Sequence, residues 1–208
     1  MSDAAILRSC ESVEHYTSPR LVEPARYVLG GVIDLDPASC PAANVVVKAE
    51  MIYTREDDGL RQPWGDLSLP PSTVFLNPPG GRLNRQTLRP VKAGKSISAA
   101  AAWWRKLLQE QDAGHVHSAI VICFSLNVFR AAQALNVPPP YSFPFVIPKD
   151  REKYWGPSVA IGEGDPQQDG AVVYVPPREP MMGVAQGARS AGLARFAEAF
   201  GELGEVRL

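Results

Sequence analysis

Asn77-Pro78-Pro79-Gly80 directly follows the apolar run Val74-Phe75-Leu76. The run predicts a short buried strand, and the prolines end it because neither can donate to a sheet ladder. Pro78 biases Asn77 away from helix, and Pro79 does the same to Pro78. The product is a stiff, extended corner at a strand end. Such a corner holds the Asn77 side-chain carbonyl and the neighbouring backbone carbonyls as fixed acceptors. Two acceptors suit an exocyclic amine, whose lone pair they would aim at an electrophile.

A second chemical stretch is Val32-Ile33-Asp34-Leu35-Asp36, which alternates as a strand and ends on a carboxylate. The small-residue turn Pro37-Ala38-Ser39 follows. A strand tip with a carboxylate engages ribose hydroxyls or a cationic ligand in doubly wound folds. Two other readings stand beside this one: Asp34-x-Asp36 as a metal pair of a glycosyltransferase, or a carboxylate capping the next helix. His115 and His117 alternate, but further metal ligands are not near them in sequence, which favours plain polar positions.

Five stretches in order resemble the phage-type DNA adenine methyltransferases, from roughly Thr17 to Val175. They are Tyr16-Thr17-Ser18-Pro19; Ile33-Asp34-Leu35-Asp36-Pro37-Ala38-Ser39; Tyr53-Thr54 leading to Asp58-Gly59-Leu60 and Trp64; Asn77-Pro78-Pro79-Gly80; and Phe143-Pro144-Phe145-Val146-Ile147-Pro148-Lys149. The resemblance implies methyl transfer from S-adenosylmethionine to the adenine amine of double-stranded DNA, with cytosine amine as the runner-up target. It implies a Rossmann-like methyltransferase fold with a largely parallel sheet flanked by helices. It places Asn77, Pro78, Pro79 and Gly80 at the reacting amine. Thr17, Asp34, Asp36, Ala38, Ser39 and Asp58 fall at the cofactor, with no metal. One departure stands out: the family's tetrapeptide ends in an aromatic that stacks on the flipped base, and here that place is Gly80. Tyr53, Trp64, Trp103 and Trp104 are the candidate substitutes, and a non-catalytic nucleic-acid-binding module on the same fold is the rival reading.

The elements that must position these residues follow from periodicity and punctuation. A helix is expected from Leu21 to Leu29, capped by Thr17 or Ser18 and closed by Gly30-Gly31. Others are expected over Pro41 to Met51, Ser96 to Gln111, Asn127 to Leu135 and Ser190 to Glu202. Strands are expected over Val32 to Asp36, Val74 to Leu76, Ser118 to Phe124, Phe143 to Ile147 and Ala171 to Val175. Tyr53 to Pro71 and Gly162 to Gly170 read as loops. Gly80 to Ser98 reads as a flexible stretch that carries Arg82, Arg85, Arg89, Lys92 and Lys95 and has no acidic residue. Its place beside the corner makes it a candidate phosphate contact, as does the Lys149, Arg151, Lys153 cluster with Tyr154 and Trp155.

The 208 residues and a net charge of -1 fit one α/β domain over residues 16–208 after a loosely held stretch 1–15. Near-neutral charge means any nucleic-acid contact must come from a local basic patch. Cys10, Cys40 and Cys123 are odd in number and scattered, which fits a reducing cytoplasm. No apolar run approaches a membrane span, and the first residues lack the pattern of a signal peptide. A cytoplasmic location is the expectation, the host's if the chain is phage-encoded.

Overall fold

The computed structural model describes residues 16–66, 68–91, 96–156, 170–178 and 186–208. The expectations for residues 1–15, for Lys92 and Lys95, and for most of the loop from Gly162 to Gly170 lie outside them.

A seven-stranded sheet forms the centre, in the order β2-β1-β3-β6-β8-β7-β9. Its strands are β1 (Leu35–Asp36), β2 (Met51–Ile52), β3 (Ser72–Leu76), β6 (Val116–Cys123), β7 (Phe145–Val146), β8 (Ala171–Val175) and β9 (Val206–Arg207). β2, β1, β3 and β6 pair in parallel, while β8 pairs antiparallel with β6 and β7, and β9 antiparallel with β7. Five strands therefore run one way and two the other. β4 (Arg82–Asn84) and β5 (Ser96–Ser98) form a separate antiparallel ribbon.

Strict alternation sorts the sheet's side chains between two cores. Val74, Leu76, Ala119, Val121, Cys123, Val173 and Val175 face one side. There α3 (Ala99–Asp112) and α4 (Asn127–Gln133) cover them with Trp103, Trp104, Leu107, Leu108 and Val128. Phe75, Ile120, Ile122, Val172 and Tyr174 face the other side. There α1 (Pro19–Val28), α2 (Pro41–Val47) and α5 (Gln186–Phe200) supply Leu21, Val22, Val46, Phe196 and Phe200. Each fully buried large side chain contributes about 1.5–3 kcal/mol, so the central strands are the most strongly held part of the molecule. Gly192 lets α5 dock closely, since a Cβ there would stand 2.0 Å from Tyr174 Oη.

Several element boundaries depart from expectation. The first strand is assigned only over Leu35–Asp36, although Asp34 N–H already bonds Thr73 O at 3.1 Å. The helix expected to reach Met51 stops at Val47, because Lys48 takes a left-handed conformation and Met51 opens β2. Ser96 lies in β5 and not in the helix, which starts after Ser98. Within the stretch expected as a flexible loop, Arg82–Asn84 and Ser96–Ser98 form the ribbon. The strand expected from Phe143 to Ile147 shortens to Phe145–Val146.

Candidate functional site

The parallel strands all end on one edge of the sheet. The chain leaves β1 for β2 on one flank, then crosses to β3 on the other. Strand order reverses between β1 and β3, and crevices outside the carboxyl ends at such a point are where α/β sheets bind ligands. Asp36 ends β1, and Asn77 follows β3. Leu35 is opposite Val74, so Asp36 stands beside Phe75 and Asn77 lies two residues further along the neighbouring strand. Strand spacing and rise put their Cα atoms about 8 Å apart.

Asp36 is 2% exposed. Burial pushes its carboxyl up to about 7, against the pull of the Ser39 hydroxyl and the Ala38 N–H, which donates to Oδ1 at 3.2 Å. Among the described residues no ion pair joins this acid to a cationic side chain. Its backbone carbonyl accepts from Tyr53 N–H (3.1 Å), and Ser39 N–H donates to Tyr53 O (3.0 Å), which folds the small-residue turn over the end of β2. Gly59 brings the following loop against β1, because a Cβ there would lie 2.0 Å from Pro37 O.

The segment before α1 crosses the same edge. The Cys40 thiol donates to Tyr16 Oη at 3.3 Å. Tyr16 exchanges backbone hydrogen bonds with Trp155, whose ring meets it edge-on at 4.9 Å and whose Nε1 donates to Thr17 O at 3.0 Å. Tyr154 in turn meets Phe124 at 6.4 Å, and Phe124 follows the end of β6. Contacts therefore run along the edge from Cys40 through Tyr16 and Trp155, and from Tyr154 to Phe124. Next to Tyr16 in this segment, Thr17 is 3% and Ser18 7% exposed, and neither hydroxyl meets a hydrogen-bond partner among the described residues. A buried hydroxyl left so costs about 1–3 kcal/mol, which a ligand's polar atoms would recover. Ser18 occupies the N-cap position of α1 without a side-chain capping bond.

The other sequence-derived positions sort as follows. Ala38 lies in the turn after β1 and is half-buried. The Asp34 carboxylate is engaged: Oδ2 accepts from Thr73 N–H at 2.6 Å and from Thr73 Oγ1 at 2.8 Å, bracing β1 on β3. Asp58 has φ 56° and pairs with Arg61 at 3.1 Å in the turn before Gly59. Pro78 is half-buried, and Pro79 and Gly80 are exposed. A Cβ at Gly80 would meet nothing within 4 Å, so open space stands where a ring would project. Trp64, Trp103 and Trp104 do not reach it. They are buried, with Trp64 stacked on Trp103 at 6.1 Å and donating from Nε1 to Gly59 O. Tyr53 Oη donates to Pro63 O, on the far side of the loop. Phe124, just past the end of β6, and Tyr154 are half-exposed rings that meet each other on this edge. Phe124 escaped the sequence reading because it ends an apolar run and looks like core. Tyr154 carried a signal, its place among Lys149, Arg151 and Lys153.

Arg82, Arg85 and Arg89 are exposed on the ribbon that follows Gly80, and Lys149 and Arg151 are exposed on the loop after β7. Both loops leave the carboxyl edge. Burial pushes the Cys123 thiol up to about 12, which makes it a packing residue and no nucleophile. A surface recess of about 270 Å3 between Met51, Pro63, Leu69 and Ser72 lies by the opposite edge. Its carboxylate, Asp66, already accepts from Ser68 N–H at 2.9 Å. Among the described residues no group of three or more His, Cys, Asp or Glu is placed to hold a metal ion, and no helix is long and apolar enough to cross a membrane. Comparison with protein-family models, with curated proteins and with solved structures found no match to this chain.

Proposed function

We propose that this chain is an S-adenosylmethionine-dependent methyltransferase that modifies the exocyclic amine of adenine in double-stranded DNA, on a Rossmann-like methyltransferase fold. The observation that carries the reading is the pairing of Asp36 and the Asn77 corner on adjacent strands where strand order reverses. An acid for a charged ligand and acceptors for an amine share one edge.

The residues fit the cofactor on chemical grounds. Asp36 is a buried acid in want of a positive charge, and Thr17 and Ser18 are buried hydroxyls in want of partners. A ligand bearing an ammonium, a sulfonium and ribose hydroxyls supplies all of these. When bound, S-adenosylmethionine provides an electrophilic methyl group. Asn77 Oδ1 and the Pro78 carbonyl accept hydrogen bonds from the target amine and orient its lone pair. Because both are fixed by the prolines, they stabilise the positive charge growing on nitrogen without reorganising. The target base must leave the stack to reach them. Phe124 and Tyr154 are the rings best placed to receive it, while Lys149 and Arg151 neutralise phosphates.

The test is incubation with labelled cofactor and plasmid DNA, followed by nucleoside analysis. N6-methyldeoxyadenosine is the expected product, and N4-methylcytosine would move the target to cytosine. Asn77→Ala is expected to cut methylation by about 100-fold or more while leaving cofactor binding intact. Full activity in that variant refutes the proposal. The open space at Gly80 favours one second reading, a DNA-binding module without catalysis. Saturable DNA binding with no cofactor binding would establish it.

A further inference from the structure

The ribbon after the catalytic corner is built more rigidly than a phosphate-neutralising loop requires. β4 pairs with β5 through Arg82–Ser98, Leu83–Ile97 and Asn84–Ser96. Its other side pairs with the returning chain: Asn84 N–H bonds Arg89 O at 2.8 Å, and Val91 N–H bonds Arg82 O at 3.0 Å. The turn between them is closed by Leu88 N–H to Asn84 O at 2.9 Å, and Asn84 Oδ1 accepts from both Gln86 and Thr87 N–H. Arg61 clamps the tip from the neighbouring loop by donating to Thr87 O at 3.0 Å. Leu83 and Ile97 are 8% and 7% exposed and anchor one face in the core. The tip itself exposes Arg85, Gln86 and Thr87, with Arg82 and Arg89 behind.

Phosphate contacts tolerate mobile side chains, whereas reading base edges needs a scaffold held within fractions of an ångström. A two-stranded ribbon fits the major groove, where arginine pairs bidentately with guanine and glutamine with adenine. The tip carries one of each, side by side. Three strand residues rise about 10 Å, roughly three base-pair steps from the corner that holds the target. Arg82 is tied back to Ser96 Oγ at 2.7 Å, which suits a backbone contact and not a base contact.

We infer that this ribbon is the sequence-reading element: Arg85 and Gln86 read base edges in the major groove beside the methylated adenine, and Arg82 and Arg89 grip the flanking phosphates. The inference rests on the methyltransferase reading and names how that site selects its DNA.

The experiment methylates a random-sequence duplex library with the full chain and maps modified adenines by sequencing. Wild type is expected to mark adenines within a short motif. Arg85→Ala and Gln86→Ala should each lose discrimination at one neighbouring base pair, by about 5- to 100-fold. Arg85→Lys keeps the charge but removes the fork, and it should relax the motif equally. Arg82→Ala should lower methylation of all sequences alike. An unchanged motif in all three tip variants, with only uniform loss, overturns the inference and leaves the methyltransferase reading standing. Wild type that marks no adenine in any duplex overturns the methyltransferase reading itself, and the inference with it.

Discussion

Replacing Asp36 with asparagine separates the cost of burying this acid from what a bound cation would return. The native carboxyl sits at about 7 against an ordinary 3.8, driven by burial. A raised native value means the favourable neutral form is fully present at low pH and lost as pH rises through 7. Below 3.8 both folded and unfolded chains carry the neutral acid. Between 3.8 and 7 only the unfolded chain ionises, and stability falls. At 1.36 kcal/mol per tenfold, the whole loss is about 4 kcal/mol above pH 7. Asparagine is neutral throughout, so Asp36→Asn escapes this loss. Its advantage over wild type should grow by about 2–3 kcal/mol between pH 5 and pH 8. Urea unfolding at the two pH values measures this, as a midpoint shift of about 1 M in the variant's favour. Adding S-adenosylmethionine at pH 8 should then raise the wild-type midpoint, by about 2.7 kcal/mol at a hundredfold excess over Kd, and leave the variant unmoved. An advantage that does not change with pH would refute the reasoning, since the carboxylate would then be at ease when charged. The site would hold no unmet demand for a cation.

Four further outcomes follow from the structure. Gly80→Tyr places a ring in open space without backbone strain, and it should tighten DNA binding by about 5- to 100-fold in a filter or anisotropy assay. The same change at Gly81, which has φ 95°, should destabilise the fold. Thr17→Val removes a buried hydroxyl that has no partner among the described residues, so the ligand-free chain should gain about 1 kcal/mol in unfolding, while calorimetry should show weaker binding of the proposed cofactor. Glu110 opposes its own burial with Lys106, with His115 Nδ1 at 2.6 Å and with Trp64 N–H at 3.3 Å, which together hold its carboxyl below the ordinary range. Its stabilisation is present above 4.5 and lost as pH falls through the lowered value. Glu110→Gln should cost about 1–3 kcal/mol near pH 7, and that cost should shrink as pH falls from 4.5 through the lowered value, read by urea midpoints.

The long central strands were legible because apolar runs bounded by prolines and glycines leave little choice. Val74-Phe75-Leu76 and Ala171-Val172-Val173-Tyr174-Val175 came out nearly whole, while Trp103 and Trp104, offered as rings for the base, lie in the core. Two-residue strands such as Met51–Ile52 and Val206–Arg207 carry no period to detect, so they were missed. The ribbon was missed for another reason. Its arginines and glycines read as a solvated loop, and its order comes from contacts with Arg61 and the core that no local pattern records. Asp34 shows the same limit: its partner Thr73 lies 39 residues away. The corner and the acidic tip were visible separately as motifs. That they share an edge depends on strand order, which a sequence pattern does not specify.

β8 lies between β6 and β7 yet leaves the ribosome after both. A nascent polypeptide that has reached Val146 therefore has two strands whose proper neighbour does not yet exist. They point the same way, so a direct but wrong parallel pairing is open to them. Reaching the native arrangement means prising that pair apart or never forming it. Residues 171–175 thus act as a late wedge, and this predicts slow refolding and a need for chaperone shelter during synthesis.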